Sequence, residues 1–264
     1  MNEIDMNAGF KKMFDNLVEN GILRYDEEKP LYKYVSIGTA KLIIGTGTIK
    51  FSSPHDLDDN DLDVSLLDLT ITPNVQNLIT KNILRKNLNP GLVEILEKEL
   101  DKPNSQVRIP PQEFIDNIIN GYIEERKRYG VFCLTTDNRN GKMWQEYADN
   151  YNGVCLEFRF PNLFTKLYHT FTVAYNSNLK LGRLFNDDGT LNSLTVNKWL
   201  FTKNEKYANE CEVRLLTENK GIYPFPKRFL NNIYYGKDIS LEDSNELERL
   251  LREGDYSFYK GEKY

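Results

Sequence analysis

The sequence predicts an α+β protein: a mixed, largely antiparallel sheet with flanking helices and a helical insertion. Three observations carry this. Short segments of strand character recur from Leu31 to Tyr235. Three helix-like segments stand together between Pro73 and Tyr129. Aromatic residues are plentiful, with 16 Tyr and 14 Phe, which suits β-rich packing and aromatic-lined pockets. A chain of 264 residues can bury a substantial core. It reads as one domain over 1–264, with 73–129 as a helical insertion and 253–264 as a flexible tail.

The elements follow in order. Residues 5–20 have helical spacing (Phe10, Met13, Phe14, Leu17), with Gly21 as the stop. Leu31–Val35 is a strand after Pro30, and Ser36 caps a short helix through Leu42, Ile43 and Ile44 that Gly45 and Gly47 close. Thr48–Ser53 is a second strand, ended by Pro54, and an acidic loop covers 55–63. Helices are expected at 75–85, 90–100 and 111–128, a strand at 129–135, and a short helix at 142–150 carrying Met143, Trp144, Tyr147 and Ala148. Gly153–Phe160 is the clearest strand. A strand at 171–175, a helix at 194–201, strands at 210–217 and 232–235, and a helix at 241–252 complete the chain.

Composition narrows the function classes. Hydrophobic residues at 40%, charged residues at 28% and a net charge of −5 describe an ordinary soluble protein. That balance argues against a general nucleic-acid coat and leaves only a local basic groove open. No run of about 18 apolar residues occurs, and Met1–Asn7 has neither a basic nor an apolar leader segment. No membrane partner is therefore expected, and the cytoplasm is the expected location. Cys133, Cys155 and Cys211 form no metal-binding spacing and read as buried free thiols. With His55 and His169 as its two histidines, the chain is expected to hold no metal.

The densest chemistry lies in Tyr207-Ala-Asn-Glu210-Cys-Glu212-Val-Arg214-Leu-Leu. On a strand, Glu210 and Glu212 point the same way with Arg214 beside them, and Val213 and Leu215 take the other face. Three charges on one face are costly to bury unless paired or used. A solvated outer face and a catalytic carboxylate pair are the two readings. In the acidic loop, Asp56, Asp58 and Asn60 match the first three ligand positions of a calcium loop. Asp61 and Leu67 then stand where the turn Gly and the bidentate Glu belong. Trp144 and Tyr147 at i, i+3 either cover the sheet edge as core or wall a ligand pocket. Cys133 lacks a histidine placed as its base.

Several segments together resemble the bacterial and phage family called domain of unknown function 2971. They are Leu31-Tyr-Lys-Tyr34, Ile49–Pro54 with the acidic loop, Phe132–Thr135, Met143-Trp144 with Tyr147-Ala148, Gly153–Phe158, Lys203 to Arg214, and Ile233–Gly236. Three places depart from the family pattern. Leu57-Asp58-Asp59-Asn60 replaces Phe-Asn-Asp-Pro, Tyr207 replaces a Trp, and Val213 replaces an aromatic residue.

The order of motifs also resembles ADP-ribosyltransferases, which cleave NAD and transfer its ADP-ribose. Tyr32, Lys33 and Tyr34 occupy the early-strand place, Phe51-Ser52-Ser53 the nicotinamide-pocket strand, and Glu210-Cys-Glu212 the late Glu-x-Glu. This resemblance implies NAD as substrate and Glu212 as the carboxylate that stabilises the oxocarbenium-like transition state and bonds the ribose hydroxyl. Glu210 would orient or deprotonate the acceptor, a protein, a nucleic acid or water. Lys33, Tyr34, Ser52, Ser53, Trp144 and Arg214 would form the NAD-binding set, within phage defence or a toxin system. The rival readings are a non-enzymatic protein- or nucleic-acid-binding module of a defence system, and a metal-dependent nuclease built on Asp58, Asp59 and Asp61.

Overall fold

The computed structural model describes residues 29–57, 66–102, 111–161, 170–177, 181–192, 195, 198–256 and 261–263. The first strand, β1 (Leu31–Val35), is buried on both faces, apart from a half-buried Lys33, and so lies inside a sheet. Ser36 then caps α1 (Ile37–Thr46) by accepting from the Thr39 amide at 3.2 Å. Gly47 ends that helix in the left-handed region at φ 64°, its amide donating to the Ile43 carbonyl, the conformation that favours glycine at a helix C-terminus.

β2 (Thr48–Phe51) follows. It pairs not with the main sheet but with a later strand, and Ser52 bridges to the main sheet by exchanging backbone bonds with Val131. After β3 (Leu67–Asp68) come α2 (Pro73–Asn87), α3 (Pro90–Leu100) and α4 (Pro111–Arg126), the helical insertion. Thr72 and Asn89 cap α2 and α3, each with proline in the first turn, where a missing N–H costs nothing. The insertion has its own core: Val75, Ile79 and Ile119 pack with Leu67, Leu181, Leu184, Phe185 and Trp199.

β4 (Gly130–Thr135), α5 (Gly141–Tyr147) and β5 (Val154–Phe158) return to the sheet. The strand expected at 171–175 is two strands. β6 (Thr170–Thr172) stays in the sheet, and β7 (Ala174–Asn176) turns away to pair with another segment. β8 (Gly182–Arg183) pairs with β3. Of the helix expected at 194–201, Thr195 and Lys198 are α-helical and Trp199–Phe201 is a 3₁₀ turn. β9 (Thr202–Asn204), β10 (Glu212–Thr217), β11 (Gly221–Pro224), β12 (Leu230–Tyr235), α6 (Leu241–Glu253) and β13 (Gly261–Lys263) complete the order. β11 is the partner of β2, and β9 that of β7.

Among the described residues the main sheet has seven strands in the order β13-β12-β5-β1-β4-β10-β6. It is antiparallel apart from the β12–β13 pair. Part of the segment read as a flexible tail thus belongs to this sheet, and Tyr256 is buried with its hydroxyl donating to the Ile44 carbonyl. Helix expectations at 5–20 and the loop residues from Asp58 onward lie outside the described residues, as does His169.

Period-two alternation separates the sheet's two faces. Leu31 and Val35, Phe132 and Leu134, Leu156 and Phe158, and Val213 and Leu215 take one face, where Ala40, Ile43 and Ile44 of α1 and Leu247 and Leu251 of α6 cover them. The two helices are tied by Lys41, which bonds Asp243 at 3.0 Å and also pairs with Glu246. Burying each such aliphatic side chain stabilises the fold by about 1.5–3 kcal/mol. The opposite face is polar and aromatic. Tyr32, Tyr34 and Cys155 pack there under Trp144 and Ala148 of α5.

The chain leaves α5 through three successive left-handed residues, Asp149, Asn150 and Tyr151, with φ of 46°, 50° and 68°. Asn and Asp tolerate this region; a tyrosine needs support. Tyr151 has it: its amide donates to the Trp144 carbonyl, its hydroxyl to the Gly141 carbonyl, and its ring stacks on Trp144. Gly153 follows, where an added Cβ would collide with the backbone of Val35 and Ala148. Neither backbone can retreat, because one is a central strand and the other closes α5. Gly153→Ala is therefore expected to lower stability by about 2 kcal/mol, within the range for overpacking, as read by urea denaturation.

Candidate functional site

On the polar face, α5, the turn Pro54–Asp56 and the segment 203–212 surround a cavity of about 160 Å³. Its floor is the seam between β1 and β4: Tyr32, Lys33 and Tyr34 on one side, Cys133, Leu134 and Thr135 on the other. These strands share one register pair, Tyr32 with Thr135. Beyond it the Lys33 ammonium donates to the Cys133 carbonyl at 2.7 Å and lies 5.3 Å from the centre of the Phe132 ring. Asp56, Leu57, Met143, Tyr147, Lys203, Glu210 and Glu212 form the walls.

Glu210 and Glu212 do meet here, by a route the strand reading missed. Glu210 is the last residue of a 3₁₀ turn, Glu205–Glu210, and β10 begins at Glu212. Between them Cys211 adopts φ 47°, ψ 46°. A left-handed residue reverses the alternation, so the side chains converge because of this kink rather than strand geometry. The conformation costs a non-glycine residue about 1–2 kcal/mol, a local strain of the kind that gathers at functional sites. Cys155 is buried, Cys133 half-buried and Cys211 exposed, so the expectation of three buried thiols fails at Cys211.

The carboxylates share one lysine. The Lys203 ammonium donates to Glu210 Oε2 at 2.6 Å and lies 3.1 Å from Glu212 Oε2. It also sits 4.8 Å from the Tyr207 ring centre. Arg214 grips Glu212 with two bonds, Nε to Oε1 at 2.7 Å and Nη2 to Oε2 at 3.2 Å, and its Nη1 donates to the Leu200 carbonyl. All four side chains are buried, with Lys203 2%, Glu210 4%, Glu212 6% and Arg214 1% exposed. The solvated-face reading of these charges therefore does not hold. They form a paired, desolvated network, which is costly to assemble and costlier to break.

Burial alone would raise the Glu212 carboxyl. The charge and hydrogen bonds of Arg214, then the charge of Lys203 and a bond from the Cys133 thiol, outweigh it and hold the group down to about 2. Arg214 donates to both carboxylate oxygens of Glu212, and the Lys203 ammonium pairs with Oε2. Glu212 is a fixed anion. Glu210 accepts on its other oxygen from the Tyr147 hydroxyl, a longer bond of 3.3 Å from a side chain that is 40% exposed. Burial, then the Glu212 charge, push the Cys133 thiol well above its ordinary value, so it stays protonated as a donor and is unsuited to nucleophilic attack. Asn140 couples the two sides of the site, capping α5 and donating to the Asn209 carbonyl beside Glu210.

The other expected site residues divide. Lys33 and Tyr34 line the cavity. The Lys33 ammonium is bound to the strand backbone, and the Tyr34 hydroxyl donates to the Asp137 carbonyl and accepts from the Asn140 amide. Ser52, Ser53, Trp144 and Arg214 are not among the lining residues. Ser52 bridges to Val131, and the fully buried Ser53 donates to the Lys127 carbonyl while accepting from the His55 amide. Trp144 is also fully buried, with Nε1 donating to the Asn138 carbonyl, and Arg214 stands behind Glu212. Lys203 is the principal residue that sequence reasoning passed over. The segment Lys203…Glu210-x-Glu212-x-Arg214 carried a trace of it, since six charges of mixed sign in the twelve residues 203–214 invite pairing.

Among the described residues no group of three His, Cys, Asp or Glu side chains is placed to hold a metal. Asp58, Asp59 and Asp61 lie outside those residues. No helix of the described residues is long and apolar enough to cross a membrane. Residues 143–215 match the model of a family described as protein of unknown function (DUF2971). That segment contains Tyr147, Lys203, Glu210, Glu212 and Arg214, and leaves the β1–β4 floor outside the match. No curated protein and no solved structure matches the chain. The family match carries no activity with it, and none of the comparisons supports the ADP-ribosyltransferase resemblance.

Proposed function

We propose that this chain, whose residues 143–215 belong to the unknown-function family 2971, cleaves an N-ribosyl bond of the kind found in NAD and transfers the ribosyl group to an acceptor. The observation that carries this reading is the meeting of Glu210 and Glu212 on one buried lysine at a cavity wall. At about 160 Å³ the cavity is below the roughly 300 Å³ that encloses a drug-sized ligand. A dinucleotide would therefore place only its nicotinamide-ribose end inside.

The residues divide the chemistry. As the C–N bond breaks, nicotinamide leaves with the electron pair and positive charge develops on the ribose. Glu212, fixed and anionic, stabilises that charge through space, since Arg214 and Lys203 already engage its two oxygens. Glu210 faces the acceptor: the acceptor oxygen forms the new bond to the ribose carbon and its proton passes to Glu210. Acceptors in this reading are water, a protein or a nucleic acid.

Nicotinamide release from NAD, followed chromatographically, tests the reading with wild type beside Glu210→Gln. Glutamine keeps a partner for Lys203 and Tyr147, so the fold is expected to survive, while release falls by at least about 10²-fold. A wild type that neither binds nor cleaves NAD would favour the non-enzymatic binding module instead.

A further inference from the structure

One row of residues crosses the polar face from strand to strand. Glu157 on β5 stands opposite Tyr32 on β1, Tyr32 opposite Thr135 on β4, and Thr135 opposite Glu212 on β10. Most polar groups of the row are engaged. Glu157 accepts from Asn231 at 2.7 Å, Tyr234 at 2.8 Å and Arg159 at 3.2 Å. Thr135 Oγ1 accepts from the Asp137 amide, and Glu212 is held as described. The Tyr32 hydroxyl differs. It makes no hydrogen bond among the described residues, is not a sealed orphan, and belongs to a side chain that lines the cavity.

We infer that Tyr32 is a specificity residue of the cavity, its hydroxyl donating to an acceptor atom on the leaving group of the ligand. This rests on the N-ribosyl reading. Tyr32 and Glu212 are two strands apart, on the order of 10 Å at ordinary strand spacing. That span suits a sugar ring at the carboxylates and one heteroaromatic ring toward Tyr32. The substrate class is then narrowed to ribosides whose leaving ring bears a carbonyl or comparable acceptor. Glu157 serves the donor from behind: burial and then the Glu157 charge push the Tyr32 phenol up, which keeps the proton on the oxygen. An edge-to-face contact with Tyr234, 6.2 Å between centres, fixes the ring.

The test compares two probes on two proteins by calorimetry. Nicotinamide carries the acceptor; 3-methylpyridine has the same ring without it. Tyr32→Phe is expected to weaken nicotinamide about tenfold, the loss of one well-formed hydrogen bond, and to leave 3-methylpyridine unchanged. Equal weakening of both probes would mark a packing defect and overturn the inference, as would no change for nicotinamide. If folded wild type binds neither probe, the N-ribosyl reading itself falls and the role of Tyr32 falls with it.

Discussion

Arg214→Met is expected to destabilise the protein by about 3–5 kcal/mol, the cost of leaving a buried ion pair with one partner. The side chain is 1% exposed, and it gives two bonds to Glu212 and one to the Leu200 carbonyl. Methionine fills much of its volume but returns none of these bonds. The loss should appear as a lower urea midpoint at pH 7 with an unchanged slope. Arg214→Met combined with Glu212→Leu should recover most of it, since removing both charges removes the unpaired one. A double variant as unstable as the single would mean that packing, not charge, is what Arg214 supplies.

The same pair sets an acid limit. Glu212 is held down to about 2 in the folded protein, against roughly 4.3 for an unperturbed glutamate. Its contribution is therefore complete above the unfolded value and is lost as pH falls toward 2, where the folded group takes up its proton. In Arg214→Met this part of the stability–pH curve should flatten.

Lys203→Met is expected to reduce activity as strongly as Glu210→Gln. Its ammonium, 2.6 Å from Glu210 and 3.1 Å from Glu212, bridges two neighbouring buried carboxylates and offsets the repulsion between them. Without it like charges oppose one another, which raises the dyad's affinity for a proton. Under the proposed reaction, turnover at pH 7 should fall by at least about 10²-fold, with partial return at higher pH as the proton leaves. A second readout does not depend on activity. Because the folded variant binds a proton more tightly than wild type, its stability should fall relative to wild type as pH rises past the unfolded carboxylate range. Wild-type-like pH dependence would show that Lys203 does not couple the two glutamates.

Much of the fold was legible because its signals are local. Ser36 before an apolar run, Gly47 after it, and the proline starts of α2 and α3 act within one helical turn. The alternation in Phe132-Cys-Leu-Thr135 and Val154–Phe158 reports two unlike faces by itself. The splitting of 170–176 between two sheets was not legible. Nothing in Thr-Phe-Thr-Val-Ala-Tyr says that the partner strand changes after Thr172, because pairing is a property of two segments and the sequence displays one.

The site divides along the same line. By itself the sequence determined that Glu210, Glu212 and Arg214 lie close together, that Tyr32, Lys33 and Tyr34 sit on an early strand, and that an aromatic helix follows Asn140. Tertiary structure alone decided what those groups became. The left-handed Cys211 turned an apparent strand pair into a convergence, and Lys203 joined the two carboxylates across a change of element. Packing placed Ser53, Trp144 and Arg214 behind the cavity rather than around it. The physical reason is that residue chemistry and backbone period are local, whereas burial and charge pairing depend on what the rest of the chain brings to the same point in space.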